Sequence, residues 1–237
     1  ERGRTHWVRW QSLNEPGALT AAEEAFRRAT ALRPDMAVAW LWLSTIYHGS
    51  GRIPEASVAA RQALAADAWL AEAPALYERL FDASLELERF TEAGQWCRDG
   101  RKRFPADLRF EECALHLAAR SAAGDSAIAA AWAELRRIEG ADATGQLGRT
   151  APRRRLWVAA VLARSGLIDS SEAVASRAVA GLSAQERVEH GLFEAYAALQ
   201  AQQPELALAA LSRLLEAQPQ DLDFIAQSSL FLPLHTD

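Results

Sequence analysis

Cysteine, methionine and tyrosine are scarce in this chain, at two, one and three residues among 237. Two cysteines cannot build a disulfide framework or a four-ligand zinc site, and Cys97 and Cys113 both fall in helically patterned stretches, where buried thiols are expected. They can pair only if the helices carrying them are neighbours, and pairing matters only in an oxidising compartment. Long apolar runs are missing too. Stretches such as Met36–Leu43 and Leu156–Ala163 fall far short of the roughly 20 residues that span a bilayer, so no membrane span is expected. β-Branched residues are sparse while Ala and Leu dominate, which suits closely packed helices and predicts an all-α protein. No signal peptide is legible, and the start at Glu1 and the stop at Asp237 soon after an apolar stretch suggest a piece of something longer.

The formal charge of −5 and the pI near 5.6 argue against general affinity for nucleic acid, whose binding is driven by Lys and Arg neutralising phosphates. Two basic clusters, Arg98–Arg103 and Arg149–Arg155, run against that balance and read as solvated helix ends and loops. The Gly49-Ser50-Gly51 turn lacks the third glycine and the preceding strand of a dinucleotide loop. Nucleophile elbows, paired metal-histidine helix motifs and phosphate-cradling loops are absent. The expectation is no catalytic residue, no metal ligand and no cofactor.

What is present is periodic. Ala22, Phe26, Ala29 and Pro34 are followed by Trp40, Leu43 and Tyr47, with small residues where two helices touch and large ones where gaps are filled. Laid along the chain, this spacing predicts six helical hairpins over residues 3–36, 37–70, 74–107, 108–140, 152–185 and 188–221, with 222–237 covering the last. Trp7, Trp10 and Leu13 lie in a poorly matched first helix that turns at Pro16 and Gly17. Thr20 with Glu23 reads as a capping box, and Pro54 falls in a first helical turn, where its missing N–H costs nothing. Gly100 weakens its helix by about 1 kcal/mol against Ala, which a close helix crossing would explain. Residues 140–152 have loop chemistry and no apolar period. The whole pattern resembles the tetratricopeptide repeat family, which implies a right-handed α-solenoid of about six hairpins in one domain, each hairpin leaning on the next for its core.

In such a stack the first helices line an inner groove. Glu78, Asp82 and Glu86, four apart, share one face of the third hairpin's first helix. Arg109, Glu112, His116 and Arg120 take the corresponding face of the fourth. Leu41, Trp42, Leu192 and Tyr196 would add apolar contacts. Three readings of the polar set stand: metal or acid–base chemistry, solvated ion pairs of small worth, and a groove that selects a cationic peptide. His48 lies near a helix end facing the groove, whereas His6, His190 and His235 sit near element ends.

The stretch from Phe81 to Leu117, FDASLELERFTEAGQWCRDGRKRFPADLRFEECALHL, and the ending LFLPLHTD resemble C-terminal repeat arrays of bacterial signalling proteins. Such arrays follow a serine/threonine kinase or a DNA-binding activator domain. The resemblance implies a noncatalytic scaffold whose partner is a protein or peptide, basic where it meets Glu78 and Asp82. The alternative is the small-ligand sensory region of a transcriptional regulator or kinase. Low cysteine use leans toward the cytoplasm, and an extracytoplasmic position follows if the parent protein carries a transmembrane segment.

Overall fold

The computed structural model describes residues 2–13, 17–110, 112–121, 124–142, 148 and 150–234, and among these the chain is all-helical, with no strand. Two compact units are distinguished, Glu1–Phe110 and Glu111–Asp237. The first holds α1 (Arg2–Leu13), α2 (Ala18–Leu32), α3 (Ala37–Gly49), α4 (Ile53–Ala66), α5 (Ala73–Glu86) and α6 (Phe90–Arg103), followed by a 3-10 turn at Leu108–Phe110. The second holds α7 (Cys113–Ser121), α8 (Asp125–Asp142), α9 (Thr150–Arg164), α10 (Ile168–Val179), α11 (Ala184–Glu189), α12 (Gly191–Gln200), α13 (Pro204–Ala217) and α14 (Leu222–Gln227). Among the described residues no helix is long and apolar enough to cross a membrane.

One backbone device recurs in four hairpins. A residue at positive φ follows the first helix, and the next N–H donates to the carbonyl five positions back, the closure that satisfies an orphaned carbonyl at a helix end. Gly51 (φ 69°) precedes Arg52 N–H donating to Tyr47, and Gly166 (φ 83°) precedes Leu167 N–H donating to Leu162. Glu88 (φ 54°) with Arg89 to Ser84, and Gln202 (φ 61°) with Gln203 to Ala198, repeat it without glycine. Each turn delivers the chain into a second helix one residue later. Pro54, Pro74 and Pro204 occupy first turns, where a missing N–H is harmless.

In the first unit successive helices pack on one another, and α3 also meets α5. Trp7, Phe26, Leu43 and Ile46 form one apolar cluster with Ala22, Ala56 and Ala59, and Leu41, Leu76 and Leu80 form another with Ala60 and Ala63. The alanines bring helix axes close, and α3 supplies both clusters because its apolar residues run all the way round it. Trp40 completes the entry to α3 by donating its ring N–H to the Pro34 carbonyl at 2.9 Å. In the second unit α9 touches α7, α8, α10 and α12, and every residue from Leu156 to Ala163 is buried.

Several local expectations change. Helix α2 begins at Ala18 behind Gly17 (φ 76°) with no side-chain cap, so Thr20 sits inside the helix and forms no capping box. Glu23 instead reaches Arg52, accepting from Nη1 at 3.0 Å, while the Arg52 guanidinium lies 4.2 Å over the Tyr47 ring. The capping box lies at Ser183 and Glu186, opening α11. Helix α8 runs through Gly140 to Asp142 and α9 starts at Thr150, ahead of Pro152, which narrows the loop read over 140–152. Cys97 and Cys113 are both buried, and neither is a free thiol. Trp69 is 88% exposed under the Arg103 guanidinium, whereas Trp7 is in the core. The side chains of Trp10 and Leu13, together with Pro16 and His235, lie outside the described residues.

Gly100 has its explanation in a ring rather than a helix. A Cβ there would fall within contact distance of Phe110, which is 2% exposed and stacked on Phe104 at 5.8 Å. Gly100→Ala is therefore expected to destabilise the protein by about 1 kcal/mol or more, the overpacking outweighing the gain in helix propensity. Urea denaturation checks this, and a stabilised variant would show that the ring moves aside freely.

Candidate functional site

Helices α3 and α5, the first members of consecutive hairpins, place the acidic stripe. Glu78, Asp82 and Glu86 are all half-buried along α5. Glu78 lies 3.7 Å from Arg109, whose guanidinium is also held by Asp107 at 2.7 Å. Arg79 enters the same region, and burial pulls its basicity below the usual arginine value against the opposing pull of Glu78 and Asp82. The imidazole of His48 is likewise pushed below its ordinary range, first by burial and then by Arg79, with Glu86 acting in the other direction. Arg79 Nη1 and His48 Nδ1 are buried and have no hydrogen-bond partner among the described residues. Glu78, Asp82 and Glu86 thus share this face with the guanidiniums of Arg79 and Arg109, the second also held by Asp107, and burial disfavours the charged form of His48.

The apolar residues read beside that stripe are placed differently. Leu41 is 6% exposed inside the core cluster with Ala60, Leu76 and Leu80. Trp42 is stacked on Phe26 at 6.0 Å and tilted against Trp7 at 5.6 Å, so it joins α3 to the preceding hairpin. Both are occupied with packing.

In the second unit four of the named residues, Glu112, His116, Arg120 and Tyr196, are brought together, but inward. His116 is stacked on Trp157 with ring centroids 4.1 Å apart, and Phe193 and Tyr196 meet the same indole edge-on at 5.3 and 5.7 Å. The Tyr196 hydroxyl donates to the Ala119 carbonyl at 3.1 Å, and Arg120 donates to Ser229 Oγ at 2.6 Å. Glu112 accepts from Arg153 Nε at 2.7 Å, and that guanidinium lies 5.7 Å over Phe193. Glu112, Arg120 and Tyr196 are buried, so these groups fasten α7 to α9, to α12 and to the chain's end rather than lining an open trough. Leu192, half-buried, borders a separate apolar cavity of about 170 Å³ with Phe193, Leu214 and Phe224.

Two residues of the basic run read over 149–155, Arg153 and Arg154, depart from the solvated reading. Arg154 is 2% exposed and pairs with Glu134 of α8 at 3.1 Å, while Arg153 serves Glu112. Glu134 lies on α8 and Glu112 just ahead of α7, 20 and 41 residues away, which no local pattern reveals. Among the described residues no cluster of three or more His, Cys, Asp or Glu is arranged to hold a metal ion.

Burial pushes the His116 imidazole down to about 3, with Arg120 and Arg153 adding to the effect. The unfolded chain therefore binds more protons between about pH 6.5 and 3, and stability is lost as pH falls through that window. His190, which burial and Arg153 also push down, and His48 act in the same direction. Substitution His116→Phe keeps the stacked ring and is expected to remove about 3 kcal/mol of the stability difference between pH 7 and pH 4. Denaturant titrations across that range measure it, and an unchanged acid slope would contradict the burial of this imidazole.

Comparison with known proteins returns no matching family model, no similar curated protein and no similar solved structure.

Proposed function

We propose that this chain is a noncatalytic protein- or peptide-binding scaffold, a tetratricopeptide-like right-handed α-solenoid serving a signalling or regulatory protein. The observation that carries the reading is the recurrence of one turn in four hairpins, at Gly51, Glu88, Gly166 and Gln202. Repetition of a hairpin with a fixed turn is how extended binding surfaces are built, because each hairpin presents its first helix at the same angle to its neighbour. Contact of α3 with α5, and of α9 with both α7 and α12, supports first helices lying side by side within each unit.

The face of α5 offers the chemistry for recognition. Glu78, Asp82 and Glu86 recur every four residues, so a basic segment laid along the helix would meet a carboxylate at each turn. Arg79 and Arg109 temper that face, so an incoming carboxylate-rich segment would meet these cations as well as the carboxylates. A Lys- and Arg-bearing peptide is the ligand chemistry that this row of carboxylates favours.

Fluorescence anisotropy with labelled basic and acidic peptides tests this. The basic peptide should bind, weaken as salt rises, and lose affinity about tenfold or more with Glu78→Lys and Asp82→Lys combined. Equal binding of the acidic peptide, or an unchanged affinity in a double variant with normal helicity, would remove the proposal.

A further inference from the structure

Helices α11, α12, α13 and α14 border the cavity of about 170 Å³ beside Leu192, within the second unit. Its walls are largely apolar, drawn from Val188, Leu192, Phe193, Leu214, Phe224 and Ile225. Glu189, Gln218 and Asp221 complete the lining, so its charged groups are two carboxylates, with no cation among the described residues.

Asp221 holds the N-cap position of α14, where an aspartate ordinarily accepts from a free amide of the first helical turn. Here its side chain makes no such bond. It has no ion pair or other side-chain hydrogen bond among the described residues, and burial pushes its carboxyl above the ordinary aspartate value with no cation or donor opposing the shift. Glu189, which is exposed, is likewise without an ion pair among the described residues. Neighbouring bases do not supply the missing charge. Arg153, over the Phe193 ring at 5.7 Å, is engaged by Glu112 at 2.7 Å. His190, next to Glu189 in the chain, is buried, and burial disfavours its charged form. A carboxylate drawn partly out of water without a partner loses hydration that nothing in the protein restores.

We infer that this cavity receives a primary alkylammonium group on a chain of about four carbons, the dimensions of a lysine side chain. The volume holds roughly five waters at their share of liquid volume, which matches the carbons and nitrogen of butylammonium. An ammonium has three donors, and the lining offers acceptors at Asp221, Glu189 and the Gln218 amide oxygen, while the methylenes lie against the leucine and phenylalanine walls. An anion would meet two like charges, and an uncharged chain would leave Asp221 without a counterion. A free amine and the lysine of a peptide share this chemistry. The site uses no residue of the α5 face and is tested apart from it.

Titration of the whole chain with butylammonium, butanol, butyrate and Nα-acetyl-lysine methylamide, followed by amide chemical shifts, tests the inference. Butylammonium should perturb amides of α11 to α14 saturably, with a dissociation constant in about the millimolar range for so small a ligand. Butanol should bind about tenfold more weakly and butyrate not at all. Asp221→Asn, which keeps the side-chain shape, should weaken butylammonium about tenfold, and Glu189→Gln should weaken it several-fold. Tighter binding of the acetylated lysine than of butylammonium would assign the source to a peptide side chain, and the reverse order to a free amine. Absence of butylammonium binding, equal binding of butanol or butyrate, shifts confined to α5, or unchanged affinity in the folded Asp221→Asn variant would overturn it. If Asp221→Asn does not fold, Glu189→Gln and the ligand comparisons on the native chain decide.

Discussion

Each unit is built around a helix that has no polar face. Helix α3 feeds one apolar cluster with Leu43 and Ile46 and a second with Ala37 and Leu41, and α9 is buried from Leu156 to Ala163 beneath four other helices. Such a helix has no stable place in an isolated hairpin, because half of its apolar surface would remain in water. Its neighbours must be present before it gains from folding. Alanines of the second helices at 0% exposure, among them Ala22, Ala56, Ala60, Ala93 and Ala207, are the counterpart of this constraint, since a side chain no larger than a methyl group lets those helices come close enough to enclose it.

The recurring turn and the polar contacts work within that constraint. Positive φ at Gly51, Glu88, Gly166 and Gln202 closes the first helix with the same five-residue hydrogen bond each time and turns the chain into the second. At Glu88 and Gln202 a side-chain-bearing residue accepts that conformation, a strain of about 1 kcal/mol held by the backbone hydrogen bonds from Arg89 to Ser84 and from Gln203 to Ala198. Polar groups then lock individual helices: Arg154 to Glu134, Arg153 to Glu112, Tyr196 to the Ala119 carbonyl. Breaking one such buried partnership costs more than the pair contributes, because the remaining group is left dry and unmatched.

Much of the all-helical architecture was legible because it depends on residues close in sequence. Apolar periodicity, Pro54 in a first turn and Gly51 in a hairpin connection are local signals of this kind. The turns at Glu88 and Gln202 were hidden because positive φ there occurs without a glycine, at residues whose following N–H groups close the helix onto Ser84 and Ala198. Thr20 and Glu23 have capping-box spacing, yet Gly17 starts the helix earlier and Arg52, 29 residues on, takes the glutamate. The groove residues divide for the same reason. Glu78 and Asp82 keep partial exposure on α5, whereas His116, Glu112 and Arg120 are enclosed by Trp157, Arg153 and Ser229, partners that lie 41 to 109 residues away. Spacing puts side chains on one helix face, but only the neighbouring elements decide whether that face meets water.

Sharing of the core between hairpins is most directly read by native-state hydrogen exchange in a chain carrying Leu76→Ala. Leu76 belongs to α5 and is fully buried in the cluster that contains Ala37 and Leu41 of α3 and Ala60 of α4. If the hairpins depend on one another, the loss of about 2–5 kcal/mol expected for such a truncation lowers amide protection in α3 and α4 together with α5 and α6. Loss confined to α5 and α6, with α3 and α4 protected as before, would contradict it.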